Sequence, residues 1–317
     1  MRALHWNGNR LQLDPAYPTP QADDHTAVVR LRLAGICSTD LQIFQGYMGF
    51  QGVPGHEFVA EVHEGPEHLL GTRVVGEINF ACGHCLTCRR GLGRHCPTRR
   101  VLGILNADGC FAEYLAIPVQ NLHIIPDSVS DEAAVFTEPL AAAFEILEQV
   151  HLHPTDTVVI VGDGKLGLLC AQVLHHSGAQ VCVVGKHQDK LRHLQKMGLQ
   201  TALLADWQAV PADVVVEASG SIAGLQLAIE TVRPRGTLVL KSTVAAHHSL
   251  SLAPLVINEV TVIGSRCGPF PPALHALAQR HITVTPFIDH IYPLTDGSDA
   301  VAHAERPGTL KILLRNA

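Results

Sequence analysis

The apolar residues of this chain keep two different rhythms. Up to about residue 140 they come in short runs broken by glycines at 35, 46, 49, 52, 55, 65, 71 and 76, the spacing of brief strands joined by turns. Ala27 to Leu33 is apolar with arginines interleaved, as in a half-buried strand, and Val74-Val75 lies in another. From Ala141 the rhythm changes. A helix over Ala141 to Val150, a strand over Val158 to Val161, a helix over Leu166 to His176, a strand over Val181 to Val184 and a helix around Lys190 to Met197 follow in turn. Val214-Val215-Val216, Leu238-Val239-Leu240 and Val260 to Ile263 continue the alternation. Strands separated by helical segments predict an α/β fold with a parallel sheet covered on both faces. Beyond it the pattern predicts a proline-rich loop, PFPPAL, then a helix and a last strand at Leu310 to Leu314.

Composition narrows the class. At 317 residues the chain is long enough for two domains, each with its own core. A hydrophobic share of 47% against a charged share of 16% belongs to a compact globular protein, which excludes disorder. The net charge of −6 argues against nucleic acid or an anionic membrane as a partner. No apolar run reaches the ~18 residues of a membrane span. MRALHWNGNRLQL lacks the apolar core of a signal peptide, so a cytoplasmic protein is expected. Its nine cysteines are then expected as reduced thiols serving metal or packing.

Chemistry concentrates in three stretches. In the first, VPGHEFVAE brings His56 and Glu57 side by side, with Cys37 upstream in GICSTD. Thiolate, imidazole and carboxylate are the donors of a catalytic zinc, which keeps one position open for water or substrate. Position 60 is Ala60, which excludes the H-E-x-x-H helix of a metalloprotease. The second stretch holds Cys82, Cys85, Cys88 and Cys96, dense enough to wrap one zinc in a closed, structural tetrahedron. Arg89, Arg90, Arg94, Arg99 and Arg100 surround it; four thiolates on one divalent ion leave a local charge of about −2 for them to offset. The third is GDGKLG, Gly162 to Gly167, after the strand VVIV and opening a helix. Gly162 permits the tight turn, Gly164 lets the backbone approach a pyrophosphate, and Gly167 lets helix and strand pack closely. With Lys165 and Leu166, these residues form the phosphate-binding turn of a dinucleotide site.

Taken together, these motifs resemble the zinc-dependent medium-chain dehydrogenase/reductase family of alcohol and polyol dehydrogenases over essentially the whole length. The resemblance implies a GroES-like β-rich catalytic domain over 1–140, a Rossmann doubly wound parallel sheet over 141–266 and a return to the catalytic domain over 267–317. It implies zinc-assisted hydride transfer between a small-molecule alcohol or carbonyl substrate and NAD(P), the zinc polarising the substrate oxygen. Two zinc ions per chain follow: one held by Cys82, Cys85, Cys88 and Cys96, the other by Cys37, His56 and Glu138, with Glu57 close enough to enter its shell. Glutamate as third ligand is the pattern of many polyol and sugar dehydrogenases, which favours such substrates here. Glu138, before Pro139, also suits a helix N-terminus.

The same resemblance gives Thr39 the substrate alcohol's proton and Asp40 the orientation of His56, although STD also reads as a helix cap. Gln42 stands where some members carry a relay histidine, so the proton must reach solvent by water or another side chain. Tyr47, Met48, Phe50 and Phe111 are open to two readings, pocket or core. Family members that use NAD carry an acid at the end of the second Rossmann strand. Here that position is Gly185, with Lys186 and His187 following, which predicts room and cationic partners for a 2′-phosphate and a preference for NADP. Pairing through Val260 to Ile263 predicts a homodimer or homotetramer. The alternative is a non-catalytic dinucleotide- and zinc-binding redox sensor or structural protein of the same fold.

Overall fold

A computed structural model describes residues 1–243 and 250–316. The chain divides into two compact units, one formed by Met1–Glu138 with Ala273–Ala317, the other by Pro139–Pro272.

The first unit is built on a seven-stranded sheet. Its order is Ile288–Pro293, Lys311–Arg315, Thr26–Gly35, Glu57–Glu64, Arg73–Gly76 and Leu122–Ile124, with Tyr114–Pro118 also pairing with Thr26–Gly35. Thr26–Gly35 contains the run read as a half-buried strand. From Val29 to Leu33 the strand alternates, with Val29, Leu31 and Leu33 buried, Arg30 exposed and Arg32 half-buried, whereas Ala27-Val28-Val29 is buried on both faces. The loop before Glu57–Glu64 turns at Gly55, whose φ of +95° and contact with the Phe111 ring leave no room for a side chain. Phe111 is therefore core, and so is Phe50, packed with Trp6 and Ile43. Tyr47 leans on that cluster, and Met48 is exposed.

The second unit is a six-stranded, fully parallel sheet: β1 (Thr157–Val161), β2 (Gln180–Gly185), β3 (Gln200–Leu203), β4 (Ala212–Glu217), β5 (Val232–Leu240) and β6 (Thr261–Gly264). Their order across the sheet is β3-β2-β1-β4-β5-β6. Helices α1 (Lys165–His176), α2 (Gln188–Lys196) and α3 (Ile222–Thr231) connect successive strands. Burial on both faces explains the near-unbroken apolar runs of β1 and β4, which do not alternate. This is the doubly wound Rossmann order, and its strand sequence reverses between β1 and β4, where such sheets bind ligands.

Two boundaries differ from the sequence pattern. The PFPPAL segment is not a loop: it opens the helix Phe270–Ala278. Proline is compatible with a first helical turn, where its missing N–H has no partner to lose. The helix placed at Ala141 starts at Thr137, so Glu138 and Pro139 lie in its first turn. Among the described residues no helix is long and apolar enough to cross a membrane.

Candidate active site and metal centres

Cys82, Cys85, Cys88 and Cys96 converge, their sulfurs all within 4.8 Å of one another. Sγ–Sγ separations are 3.5 Å for Cys85–Cys88 and 3.9 Å for Cys82–Cys88 and Cys85–Cys96. A tetrahedron with Zn–S bonds of about 2.3 Å has edges of about 3.8 Å, so the cage has the dimensions of the ion. None of the nine cysteines forms a disulfide. Backbone amides of His84 and Cys85 hold the Cys82 thiol down at about 6. Burial and the hydrogen bond from Cys85 push the Cys88 thiol up to about 12. Four thiols crowded together cannot all ionise without a cation; a divalent ion removes that conflict. Arg94 reaches Glu77 at 3.6 Å and Arg99 donates to the Cys96 carbonyl at 3.2 Å, so part of the arginine cluster is engaged within the protein.

The second cluster joins two segments. Cys37 caps the helix Ser38–Ile43, and Asp40 in its first turn accepts the Cys37 amide at 2.8 Å. The other carboxylate oxygen of Asp40 lies 3.2 Å from His56 Nδ1. The capping role and the orienting role are thus filled by one buried side chain. His56 is almost fully buried; burial alone would lower its pKa, but the Asp40 carboxylate and the nearby Cys37 raise it well above the ordinary value. Thr39 Oγ1 lies 3.8 Å from Cys37 Sγ. Donor atoms of Cys37, His56 and Glu57 fall within 4.8 Å of one another. Glu138 stands outside that set, half-buried in the first turn of Thr137–Gln149.

One member of this site escaped the sequence reading. Lys311 is fully buried, its Nζ donates to Glu57 Oε2, and it lies 5.3 Å from the centre of the Phe136 ring. Burial opposes its charge, but Glu57 and Cys37 more than compensate and its pKa is raised. The available signal was a lysine set into the apolar run LKILL, a position that demands a buried partner. With Cys37 in its ligating thiolate form and His56 neutral, Cys37, Asp40 and Glu57 contribute three negative charges against one positive charge on Lys311. A divalent cation balances that buried excess. Glu57 Oε1 is buried and accepts no hydrogen bond from the described residues, which leaves its lone pairs for a cation. The residues therefore fit zinc.

The glycine turn lies in the second unit, between β1 and α1. Gly162 has φ of +125°, and a Cβ there would come within 2.6–2.8 Å of the Ala218–Ser219 backbone. A Cβ on Gly167 would strike the Gly162 carbonyl, whereas one on Gly164 would meet nothing within 4 Å. The three glycines thus serve tight turning, close packing and open access, and Lys165 and Leu166 start α1 beside them. Gly185 ends β2, and Lys186 and His187 are exposed after it. The space beside Gly185 is not free of carboxylate, contrary to what the strand end alone suggests. Asp163, from the glycine turn, fills it: a Cβ on Gly185 would sit 2.5 Å from Asp163 Cβ and 2.6 Å from its Oδ2.

Comparison with known proteins places this geometry. Residues 23–127 match the alcohol dehydrogenase GroES-like domain and residues 166–280 the zinc-binding dehydrogenase domain. The chain belongs to the zinc-dependent medium-chain dehydrogenase/reductase family. It is an oxidoreductase of the alcohol dehydrogenase type. It is 29% identical to a sorbitol dehydrogenase of Halalkalibacterium halodurans, the match spanning 99% of this chain and 98% of that protein. Among solved structures it resembles the alcohol dehydrogenase TADH from Thermus sp. ATN1, with a TM-score of 0.91, 28% identity and full coverage of both chains. It also resembles the RspB alcohol dehydrogenase of E. coli CFT073, crystallised with NADH, with a TM-score of 0.90, 26% identity and 99% coverage of each chain.

Proposed function

We propose that this enzyme binds two zinc ions per chain and oxidises a polyol or sugar alcohol, or reduces the matching carbonyl, with NADP preferred to NAD. The observation that carries the reading is the Cys37–His56–Glu57 donor set, half-buried at Cys37 and buried at His56 and Glu57, with its orienting Asp40. Zinc, when bound there, supplies Lewis-acid polarisation of the substrate oxygen. Everything else falls to the chain. Asp40 takes Nδ1 of His56 and so leaves Nε2 for the metal. Thr39 Oγ1, beside Cys37, relays the substrate hydroxyl proton, accepting it while giving up its own hydroxyl hydrogen to water. Gln42 carries no titratable group, so that proton leaves by water. Cys37, His56 and Glu138 would hold the zinc ion, and Glu57, paired with Lys311 in this structure, would be a further donor beside it.

The closed thiol cage is the structural zinc site. The glycine turn holds the pyrophosphate on the amides that open α1. Lys186 and His187 face the 2′-phosphate. A polyol or sugar substrate is supported by Glu138 and by the likeness to a sorbitol dehydrogenase. A homodimer or homotetramer is supported by the edge position of β6, with Val262 on it and Val256 and Ile257 beside it exposed. The test is kcat/KM over a panel of alcohols, polyols and sugars with each cofactor. Cofactor reduction by a polyol is expected. Absence of turnover with every member of the panel in zinc-loaded protein would leave the redox-sensor reading instead.

A further inference from the structure

Asp163 is one residue of the glycine turn that the phosphate-binding role does not use. Its side chain is 10% exposed, buried against the end of β2. It accepts the His187 backbone amide at 2.6 Å, and its two carboxylate oxygens lie 3.0 and 3.2 Å from His187 Nδ1. A carboxylate only accepts, so Nδ1 carries the hydrogen and the ring is fixed by two donors from one residue. The opposite edge, with Nε2, belongs to a side chain that is 44% exposed. The arrangement depends on Gly185. Any side chain there would overlap Asp163, so a strand-end acid and this aspartate exclude each other.

We propose that Asp163 is a positioning residue for cofactor selection: it holds His187 so that the free ring edge, with the neighbouring Lys186, receives the 2′-phosphate of the adenosine ribose. The proposal rests on the NADP preference stated above and supplies the part that preference lacks. Lys186 and His187 lie on an exposed segment where an untethered side chain pays conformational entropy to meet a ligand. Asp163 removes that cost for the imidazole before the cofactor arrives. It also keeps its own charge turned to His187 rather than to the phosphate. Gly185 and Asp163 form one device, in which the glycine at the strand end makes room for a carboxylate that serves the opposite purpose from the acid it replaces.

The test separates ribose phosphate from the rest of the cofactor by comparing 2′,5′-ADP with 5′-AMP. Dissociation constants are measured by calorimetry on the zinc-loaded full chain, for wild type, Asp163→Asn, His187→Gln and the double variant. Wild type should bind 2′,5′-ADP about tenfold or more tightly than 5′-AMP, the size of one charge-assisted contact. Asp163→Asn should lose about tenfold for 2′,5′-ADP and keep 5′-AMP binding, which also reports an intact turn. In a His187→Gln background the Asp163→Asn change should have no further effect, because the residue acts through the ring. Tighter 2′,5′-ADP binding by Asp163→Asn would overturn the proposal, showing a carboxylate that repels the phosphate. Equal loss for both ligands would overturn it too, showing a ribose or purely structural role, as would additive effects of the two substitutions. Equal binding of the two ligands by wild type would instead remove the NADP reading, and the proposal with it.

Discussion

Lys311→Met puts a number on the least expected part of the active site. Methionine matches the lysine stem in length and keeps its contact with Phe136, so the perturbation is the ammonium alone. Lysine and glutamate are both about 1% exposed, and Glu57 would be left as a buried carboxylate without its counter-charge. Breaking a buried pair from one side costs about 3–5 kcal/mol, a large share of the ~5–15 kcal/mol that stabilises a domain. At about 2–4 °C per kcal/mol, the transition of the first unit should fall by roughly 6–20 °C in zinc-stripped protein. Adding Glu57→Gln should recover most of the loss, since a pair removed together leaves little unpaired charge. Zinc should also soften it, because the released Glu57 finds a cation. Scanning calorimetry of the two single variants and the double variant, with and without chelator, measures all three effects. A Lys311→Met protein within 1 °C of wild type after zinc removal would refute the argument that this pair compensates buried charge.

Three further outcomes follow from the structure. Elemental analysis should find two zinc ions per chain; Cys85→Ala should lose stability first, and Cys37→Ala should lose activity while the fold survives. One zinc or none in carefully prepared protein would break the two-site reading. Asp213, at β4, accepts the Thr157 amide and pairs with Arg233, contacts that lower its pKa from 3.8 to about 2. A depressed folded-state pKa gives stability that is present above about pH 4 and lost as the pH falls towards 2. Asp213→Asn should therefore be less stable than wild type at neutral pH and indistinguishable from it near pH 2 by chemical denaturation. Light scattering at micromolar concentration should give a dimer or tetramer mass; a monomer would refute pairing through β6.

What the sequence made legible was local. The four cysteines of the thiol cage lie within one loop, and the glycine turn lies between one strand and one helix, so spacing alone shows what they build. Cys37, Thr39 and Asp40 share a helix start, and the dual role of Asp40 needed only His56 to be added. Lys311 was out of reach because its partner is 254 positions away and the pairing exists only in the folded sheet. Asp163 was hidden for a subtler reason. Its position in the glycine motif reads as a spacer, and Gly185 reads as empty space until the fold shows which side chain fills it. Glu138 came from family resemblance alone, and its place outside the set of mutually close donors makes it the site residue with the least local support. The prolines of PFPPAL misled because proline ends helices in their interior but is tolerated where they begin.

The order of strands in the first unit has a consequence for how the protein is made. Lys311–Arg315 lies between the edge strand Ile288–Pro293 and the interior strand Thr26–Gly35, so it ties the end of the chain to the part made first. On the ribosome, every residue of the Rossmann sheet is synthesised before this strand exists. The second unit can complete its core while the first still lacks the partner of Leu33–Gly35 and the counter-charge of Glu57. Vectorial synthesis thus delays the closing strand and the charge that balances Glu57 to the same moment, so closure of the sheet and neutralisation of its buried carboxylate become one late step of biogenesis.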